Sequence, residues 1–333
     1  MSNEAISIIS PLFNEEENIE QHYHEICSVI KKLKHFNSYE IIMVNDGSSD
    51  NSLNILKNLA KQDPNLKIIS FTRNFGHEAA SSAGLKYASG KVAVLIDADR
   101  QDPPELILEF EKEFLNGYHI VYGQRKKRLK ETFIKKITSK AFYPIFKWIT
   151  KVDMPKDTGD FCLLSRKALD AINQLPENNR FVRGLIYWTG LPKKAIFFIR
   201  RSRGGGNTKY NYSKLTIFAL ENIISFSIVP IYFIIFFSLF IIMTCSIGTI
   251  TALILKLLGF VAITGWTSII ISMLFLFSFT FLFLGILGLY IGKIFQEIKQ
   301  RPLFLINEKI NFEEEIINYS YASNNKFHIR SNL

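Results

Sequence analysis

Two long uncharged stretches near the carboxyl end of the chain constrain its fold more than any other sequence feature. Residues 228–255 contain no charged residue, and after Lys256 the same is true of residues 257–292. A helix needs about 20 apolar residues to cross a bilayer, and both stretches are longer than that. A soluble core helix of such length would show polar residues at a regular period. We therefore predict two transmembrane helices within residues 229–292, with a buried helical hairpin of a soluble domain as the alternative.

Basic residues lie before the first stretch and after the second. By the positive-inside rule, the sides of the membrane spans that carry such residues face the cytoplasm. They are Arg200, Arg201, Arg203, Lys209 and Lys214 before the first stretch, and Lys293, Lys299 and Arg301 after the second. We predict a multi-pass protein of the cell membrane, with residues 1–211 as a cytoplasmic domain and 212–228 as an amphipathic juxtamembrane helix. Residues 293–333 are predicted to be a cytoplasmic tail, which is loosely ordered after Arg301. The basic and aromatic segment 131–151 is predicted to lie on the bilayer, with a helix packed on the sheet as the alternative.

The sequence before the uncharged stretches alternates between strand and helix patterns. Strands are predicted at residues 6–10, 40–44, 67–71, 92–96 and 120–122, with helices at 16–33, 51–60, 77–88 and 104–115. Alternation at this spacing implies right-handed crossovers and a mostly parallel sheet. The predicted fold class is α/β, with a doubly wound sheet.

Two carboxylates stand directly after the fourth predicted strand. Asp97 and Asp99 are two residues apart, which places both side chains on the same side of an extended chain. Ligands of open α/β sheets bind at the carboxyl ends of such strands, and paired acids there suit a divalent cation. We predict a Mg²⁺ or Mn²⁺ site with Asp99 as the direct ligand and Asp97 and Gln101 assisting. The alternative is an acidic turn that caps the helix beginning near Pro103.

Several segments, most of them at predicted strand ends, together resemble family 2 glycosyltransferases of the GT-A type. They are residues 10–15 (SPLFNE), 44–50 (VNDGSSD), 74–76 (NFG) and 97–105 (DADRQDPPE). Later segments narrow the resemblance to the polyisoprenyl-phosphate glycosyltransferases, which are similar to dolichol-phosphate mannose synthase and to bacterial undecaprenyl-phosphate glycosyltransferases. These later segments are residues 157–161 (DTGDF), 203–210 (RGGGNTKY) and the two uncharged stretches.

The chain departs from the family pattern at three positions. Phe13 stands where the family usually has Tyr, Cys162 where Arg commonly follows Gly-Asp-Phe, and Thr208 where Ser is usual. The missing Arg implies either a different sugar or a neighbouring basic residue in its place.

The resemblance implies roles for individual residues. The nucleotide-binding positions match Pro11, Phe13, Glu15, Asp46 and Asp97. Asp46 matches the acid that accepts the uracil N–H, with a helix cap as the alternative. Asp160 matches the catalytic base, and Asp157 is the second candidate. The phosphate-binding candidates are Arg125, Arg128, Arg203 and Lys209, because basic side chains, and the planar donor fork of arginine in particular, suit phosphate. For Arg125 and Arg128 the alternative is a solvated basic loop.

The activity that the resemblance implies is an inverting transfer of one sugar from a nucleotide sugar to a lipid phosphate. The predicted donor is a UDP-sugar, and the predicted acceptor is a polyprenyl phosphate, with undecaprenyl phosphate favoured, at the cytoplasmic face of the bilayer. One alternative is a processive polysaccharide synthase. That class usually has a QxxRW-type motif and more membrane spans, neither of which this sequence shows, and residues 181–184 with Trp188 are only distantly similar to the motif. The other is a non-catalytic, nucleotide-binding membrane scaffold. The sugar, the lipid length, the choice of metal and a homo-oligomeric state stay open at this point.

The net charge of +10 does not indicate a nucleic-acid partner. Much of the basic excess lies in residues 125–128, in Lys135 and Lys136, and in the segment before the first uncharged stretch. In a chain with membrane spans such residues would meet lipid headgroups or phosphorylated substrates, and no nucleic-acid-binding motif is present. The three cysteines form neither a metal pattern nor a disulfide framework. The sequence predicts surface or packing positions for four histidines, which are His22, His24, His77 and His119.

Overall fold

Eight strands form one mixed sheet in the computed structural model of the chain, which describes residues 4–126, 155, 158–177, 180–201, 229–258 and 265–312. The strands are β1 (Ala5–Leu12), β2 (Ser38–Asn45), β3 (Leu66–Phe71), β4 (Val92–Leu95), β5 (Ile120–Arg125), β6 (Thr158–Ser165), β7 (Lys193–Phe198) and β8 (Ile306–Ile310). The helices are α1 (Ile19–Ile30), α2 (Ser52–Ala60), α3 (His77–Tyr87), α4 (Ile107–Leu115), α5 (Arg166–Asn173), α6 (Val182–Trp188), α7 (Val229–Leu257) and α8 (Trp266–Ile298). A single 3-10 turn at Pro104–Leu106 precedes α4.

The strand order across the sheet is β7-β5-β6-β4-β1-β2-β3-β8. Strands β4, β1, β2 and β3 are parallel neighbours, as the alternating sequence pattern predicts. Strand β6 runs antiparallel between β4 and β5, and β8 runs antiparallel to β3 at the edge. The α/β, GT-A-like architecture is therefore confirmed, in the form of a mixed sheet.

Helices cover both faces of the sheet, as in a doubly wound fold. Helices α1, α2 and α4 bury apolar side chains against one face, and α3, α5 and α6 pack on the other. Helix α3 approaches the sheet closely because Gly84 has no side chain. A Cβ atom at that position would come within 2.2 Å of Cγ2 of Ile9 in β1. This close packing holds the first turn of α3 at the carboxyl ends of the parallel strands.

The prediction of a loosely ordered tail is wrong for the residues that follow α8. Strand β8 pairs with β3, and the backbone N–H of Thr72 donates to the carbonyl of Leu305 at 3.0 Å. The ring of Phe304 stacks on Phe71 with 4.9 Å between their centroids. Without β8, β3 would be an unpaired edge strand, so its free hydrogen-bonding groups favour this docking. Residues 313–333 lie outside the described part of the chain.

Two long helices, α7 and α8, correspond to the uncharged stretches. They contain 29 and 33 residues, and the ring of Phe237 in α7 lies 5.0 Å from that of Phe279 in α8. Within the described residues one segment, Phe275–Ile298, is long and apolar enough to cross a membrane, and α7 contains a shorter apolar stretch, Ile231–Ile241. The second transmembrane helix stays a prediction. The predicted interfacial segments 131–151 and 212–228 lie outside the described residues.

A buried carboxylate joins the amino-terminal ends of the central strands. Glu40 of β2 accepts hydrogen bonds from the Ser7 hydroxyl at 2.6 Å, from the Ser89 backbone N–H at 2.6 Å and from the Lys67 ammonium at 2.6 Å. Burial alone would raise the pKa of Glu40, but these donors outweigh it and lower the pKa below the ordinary value of 4.5. The carboxylate therefore links β1, β2, β3 and the turn before β4.

Replacing this carboxylate with an amide should destabilise the fold. Glu40→Gln is expected to lower the free energy of unfolding by about 2–3 kcal/mol, because buried donors lose their charged partner. Since the folded-state pKa is depressed, the stabilisation is fully present above the ordinary value of 4.5 and is lost as the pH falls through the folded-state value. The difference between the two proteins should therefore shrink in acid. Denaturant unfolding of the purified proteins at several pH values measures it.

The partly exposed ion pair between Lys57 and Glu308, 2.8 Å apart, supplies the control. Glu308→Gln should cost no more than about 1 kcal/mol, because ion pairs that solvent reaches contribute little. Equal effects of the two substitutions would contradict the structural role assigned to Glu40.

Candidate active site

Those predicted polar residues that lie in the described part of the chain converge on one end of the sheet, where β1, β2 and β4 end. The antiparallel strand β6 begins at this same end, and β5 and β7 end there. The register pairs Leu95 of β4 with Cys162 of β6. Asp97 lies two residues after Leu95, and Asp160 lies two residues before Cys162. Because the strands are antiparallel, this register places Asp97 level with Asp160.

The loops that follow β1 and β2 are joined by hydrogen bonds. The backbone N–H of Asn14 donates to the Ser48 hydroxyl at 3.0 Å, and the N–H of Ser49 donates to the Asn14 side chain at 2.8 Å. Glu15 is held in the same unit, because its backbone N–H donates to the Ser52 hydroxyl at 3.1 Å. Pro11 is buried in β1, whereas Phe13 is 39% exposed beside this unit. An exposed ring here is free to stack on a flat ligand.

Asp46, which follows β2, organises the loop after β3. Its carboxylate is buried and accepts the backbone N–H groups of Phe75 at 2.7 Å and Gly76 at 2.9 Å. Gly47, with a φ of +64°, permits the turn, since a Cβ there would lie 2.3 Å from the carbonyl carbon of Arg73. Asp46 therefore supports the loop that leads into α3. Its predicted contact with uracil is untested by this arrangement and stays a prediction.

Three residues from separate elements form the centre of the site. His77 begins α3, and its Nε2 lies 3.1 Å from Oδ2 of Asp160 and 3.7 Å from Oδ1 of Asp97. His77 is exposed, in agreement with the predicted surface or packing position, but its contacts with two carboxylates also make it part of the site, a role that the prediction did not include. The sequence signal was its position directly after Asn74-Phe75-Gly76, at the start of a helix that begins at a strand end.

These three side chains fit a divalent cation. Their potential ligand atoms all lie within 4.8 Å of one another. Oδ1 of Asp97 is buried and has no hydrogen-bond partner in the described part of the chain. Two carboxylates and an imidazole offer oxygen and nitrogen ligand atoms, which are donors that divalent cations take in proteins. The structure thus offers His77, Asp97 and Asp160 as a candidate metal site.

This set shares only Asp97 with the ligands predicted from the sequence. Oδ1 of Asp99 accepts the backbone N–H of Gln101 at 3.0 Å, and its Oδ2 lies 3.5 Å from the Arg200 guanidinium. Both contacts shape the loop after β4. The assignments of Asp99 and Gln101 as metal ligands stay predictions.

Asp160 is held in the ionised state by two basic neighbours. Arg183 of α6 donates to its Oδ1 from Nε at 3.0 Å and from Nη2 at 2.9 Å, while His77 contacts Oδ2. Burial would raise the pKa of Asp160, but the Arg183 charge and the His77 hydrogen bond hold it well below its ordinary range. A basic residue thus reaches Asp160 from α6, in a chain where Cys162 replaces the Arg that commonly follows Gly-Asp-Phe.

The pKa values of the neighbouring ionisable groups are raised, in contrast to that of Asp160. Burial would lower the pKa of His77, but the carboxylates of Asp160 and Asp97 raise it to about 9. Burial and the charge of Asp160 raise the pKa of Glu78, which accepts the Val182 N–H at 2.8 Å. Burial and the surrounding carboxylates also raise the pKa of Asp97. The site therefore carries excess negative charge, which a cation would relieve.

A second charged group lies beside this centre. Asp102 is buried, and burial raises its pKa, although the charges of Arg200 and Arg125 act against that shift. Arg125 also lies against Gly159, where a Cβ atom would approach its Nη2 to 3.0 Å. The structure thus brings Arg125, a predicted phosphate-binding residue, to the site.

The predicted residues that lie outside the described part of the chain are Asp157, Arg128, Arg203 and Lys209.

Sequence reasoning missed five charged or titratable residues at this end of the sheet. They are His77, Glu78, Asp102, Arg183 and Arg200. Asp102 lies within the segment DADRQDPPE, and Arg183 lies within residues 181–184. Both segments were used in the sequence analysis, but neither residue was given a role there. No sequence pattern indicates that α6 and the end of β7 reach the end of β4.

Comparison with known proteins identifies close relatives of the chain. Residues 7–172 match the family described as glycosyl transferase family 2. An uncharacterized glycosyltransferase of Bacillus subtilis, YkcC, is 41% identical over 309 residues, which are 93% of this chain and 95% of that protein. The SfII prophage-derived bactoprenol glucosyl transferase of Shigella flexneri is 36% identical over 303 residues, which are 91% of this chain and 97% of that protein.

Similarity to solved structures is more distant. Glucosyl-3-phosphoglycerate synthase from Mycobacterium tuberculosis, solved with Mn²⁺, UDP and glucosyl-3-phosphoglycerate, is 17% identical with a TM-score of 0.46. The similarity covers 67% of this chain and 78% of that one.

Direct measurement of metal binding can distinguish the ligand set that the structure offers from the set predicted from the sequence. His77→Gln and Asp97→Asn should each weaken Mn²⁺ binding at least tenfold, because each removes a ligand atom from the site. Asp170→Asn, an exposed aspartate in α5, is the control and should leave binding unchanged. Calorimetric titration with Mn²⁺ in the absence of any other ligand measures the affinities. If Asp99→Asn alone abolished binding, the ligand set predicted from the sequence would replace the one assigned here.

Proposed function

The chain belongs to glycosyl transferase family 2, and from this premise we propose that it transfers one sugar from a UDP-sugar to a polyprenyl phosphate at the cytoplasmic face of the membrane. The chain is a glycosyltransferase, and 91% of it aligns with a bactoprenol glucosyl transferase at 36% identity. The observation that carries the proposal is the site in which Asp97, Asp160 and His77 meet Arg183 at the carboxyl ends of the sheet. Carboxylates suited to a cation beside a fixed arginine are the groups that a diphosphate leaving group needs.

Donor binding is assigned to the loops after β1 and β2. The exposed ring of Phe13 can stack on a nucleobase, and the hydrogen-bonded unit of Asn14 and Ser48 fixes its position. His77, Asp97 and Asp160 would hold the divalent cation, which supplies Lewis-acid stabilisation of the departing diphosphate when bound. We extend the donor assignment to Asp46, whose carboxylate supports the adjacent loop.

The role proposed for Asp160 follows from its electrostatic surroundings. A carboxylate whose pKa is held low by Arg183 accepts a proton poorly. The phosphate of a polyprenyl phosphate already carries about −1.5 to −2 charges at neutral pH, so no base has to deprotonate it. We therefore assign Asp160 to orienting His77 and Arg183, in addition to its proposed role in holding the cation. Acting as the catalytic base, the role that the family resemblance implies, is the alternative.

Access to a lipid acceptor follows from the connection between α8 and β8. Residues 299–305 join the end of α8 to the edge of the sheet, and seven extended residues span at most about 25 Å. Because β8 pairs with β3, the sheet lies on the same side of any membrane as the end of α8. We propose that α7 and α8 both cross the bilayer, so that the site faces lipid phosphates at the cytoplasmic surface.

One observation favours a processive polysaccharide synthase as a second candidate function. Arg183, in the segment with a distant similarity to such enzymes, contacts Asp160 directly. The length of the product distinguishes this candidate from single transfer.

The proposed activity can be tested with purified protein in lipid vesicles. A panel of radiolabelled UDP-sugars, supplied with undecaprenyl phosphate and Mn²⁺ or Mg²⁺, should yield a lipid that carries one sugar with one of the donors. Asp97→Asn should reduce turnover at least a hundredfold, because preorganised charge stabilisation is lost, whereas Asp170→Asn should not. Products with many sugars would support the processive synthase. Nucleotide binding without any turnover would support the non-catalytic scaffold.

The proposed topology can be tested in intact cells, in a variant without the native cysteines Cys27, Cys162 and Cys245. A cysteine at position 259, between the two helices, should react with an impermeant thiol reagent from outside. A cysteine at Asn307, which is exposed on β8, should react only after permeabilisation. The opposite labelling pattern would contradict a cytoplasmic site. Labelling of both positions from the same side would contradict a two-helix crossing.

A further inference from the structure

Arg200 and Arg201 are adjacent in sequence, but their side chains occupy different surroundings. Arg201 lies at the surface, where its guanidinium donates to both carboxylate oxygens of Glu105 at 2.9 Å and to Glu25 at 3.2 Å. Arg200 turns toward the site instead. Its Nη2 lies 3.5 Å from Oδ2 of Asp99, and its Nε lies 3.4 Å from Oδ1 of Asp102.

The contacts of Arg200 leave hydrogen-bonding capacity unused. Charge-assisted hydrogen bonds between nitrogen and oxygen are about 2.7–2.9 Å long, so distances of 3.4 and 3.5 Å indicate charge attraction without a formed bond. The Nε of Arg200 is buried and has no hydrogen-bond partner within the described residues. A buried donor without a partner is costly, so this donor calls for an acceptor that the described residues do not supply.

Asp102 explains why Arg200 stays at this position. Its side chain is only 1% exposed, and neither of its oxygens has a hydrogen-bond partner in the described part of the chain. A buried carboxylate requires a compensating cation nearby, and Arg200 provides one. The side chain of Arg200 remains 29% exposed. Asp102 therefore holds the guanidinium at the site while part of it stays accessible.

We propose that Arg200 binds a phosphate group of a substrate and that Asp102 is the positioning residue that holds it there. This inference rests on the proposed function, because it assigns a substrate group to the same site. Arginine suits phosphate, since its planar fork can donate two parallel hydrogen bonds to two oxygens. The phosphate belongs either to the diphosphate of the donor or to the lipid acceptor. Arg200 lies beside Asp99, in the loop predicted to bind the donor and its cation.

The adjacent arginine supplies a matched control. Arg200→Gln should weaken binding of the phosphate-bearing substrate roughly tenfold to a hundredfold, which is the range for loss of a charge-assisted hydrogen bond. Arg201→Gln removes the same charge one residue away and should change binding less than twofold. Equal losses in the two variants would show a general effect of net charge and would overturn the proposal. Arg200→Lys keeps the charge without the fork and should recover only part of the loss.

Two measurements identify which phosphate is bound. Calorimetry with UDP in the presence of Mn²⁺ reports on the donor, and the KM for a short-chain polyprenyl phosphate reports on the acceptor. A loss of UDP affinity in Arg200→Gln assigns Arg200 to the diphosphate. A raised acceptor KM with unchanged UDP affinity assigns it to the lipid phosphate. If neither changed, Arg200 would not be a phosphate ligand.

A double variant distinguishes two roles of Arg200, which are binding of a substrate phosphate and neutralisation of the Asp102 charge. If Arg200 only compensates the buried carboxylate, Asp102→Asn combined with Arg200→Gln should restore wild-type substrate binding. If Arg200 binds phosphate, the double variant should stay as weak as Arg200→Gln. Thermal unfolding of each variant shows whether it is folded. Should Arg200→Gln not fold, the comparison of Arg200→Lys with Arg201→Lys decides, since both keep the charge.

Failure of this proposal differs from failure of the proposed function. A wild-type protein that transfers no sugar to polyprenyl phosphate would refute the proposed function. UDP calorimetry on the same variants would still report whether Arg200 binds a phosphate group.

Discussion

The antiparallel pairing of β6 with β4 is the constraint on which the site depends. It places Asp160 level with Asp97, although the two residues are far apart in sequence and lie on strands that run in opposite directions. Helix α3 then brings His77 to both carboxylates, because Gly84 lets the helix pack directly on β1. Loss of this register would separate the acids and remove the site, while the parallel strands β1, β2 and β3 could still form.

Charge balance is the second organising feature of the site. Several carboxylates gather at one end of the sheet, and buried like charges repel one another unless cations lie between them. The protein supplies cations from elements distant in sequence, with Arg183 on Asp160 and Arg200 between Asp99 and Asp102. A site built in this way offers complementary groups to a ligand that carries both kinds of charge, such as a cation bound to a diphosphate.

The connection between the long helices and the sheet bears on how the sheet could approach the lipid substrate of the proposed function. Strand β8 follows α8 after a short linker and completes the edge of the sheet, and Phe304 stacks on Phe71 beside the loop that Asp46 supports. The segment that leaves the apolar helix is therefore part of the fold of the domain. This attachment restricts the distance between the domain and the end of α8, which is the distance that an acceptor phosphate would have to bridge.

The sequence by itself determined the α/β class, the central parallel strands and the position of Asp97 at a strand end, because hydrophobic periodicity and turn residues are local properties. It also determined the family, since the segments near Asp46, Asp97 and Asp160 retain their order. It could not show that β6 is antiparallel or that 306–310 is a strand, because both depend on pairing partners distant in sequence. Only the tertiary structure brought His77, Arg183 and Arg200 to the acids, and only it distinguished Arg200 from Arg201. The direction in which a side chain points from an irregular segment depends on packing and charge in the folded protein. The identities of the adjacent residues in the sequence do not determine it.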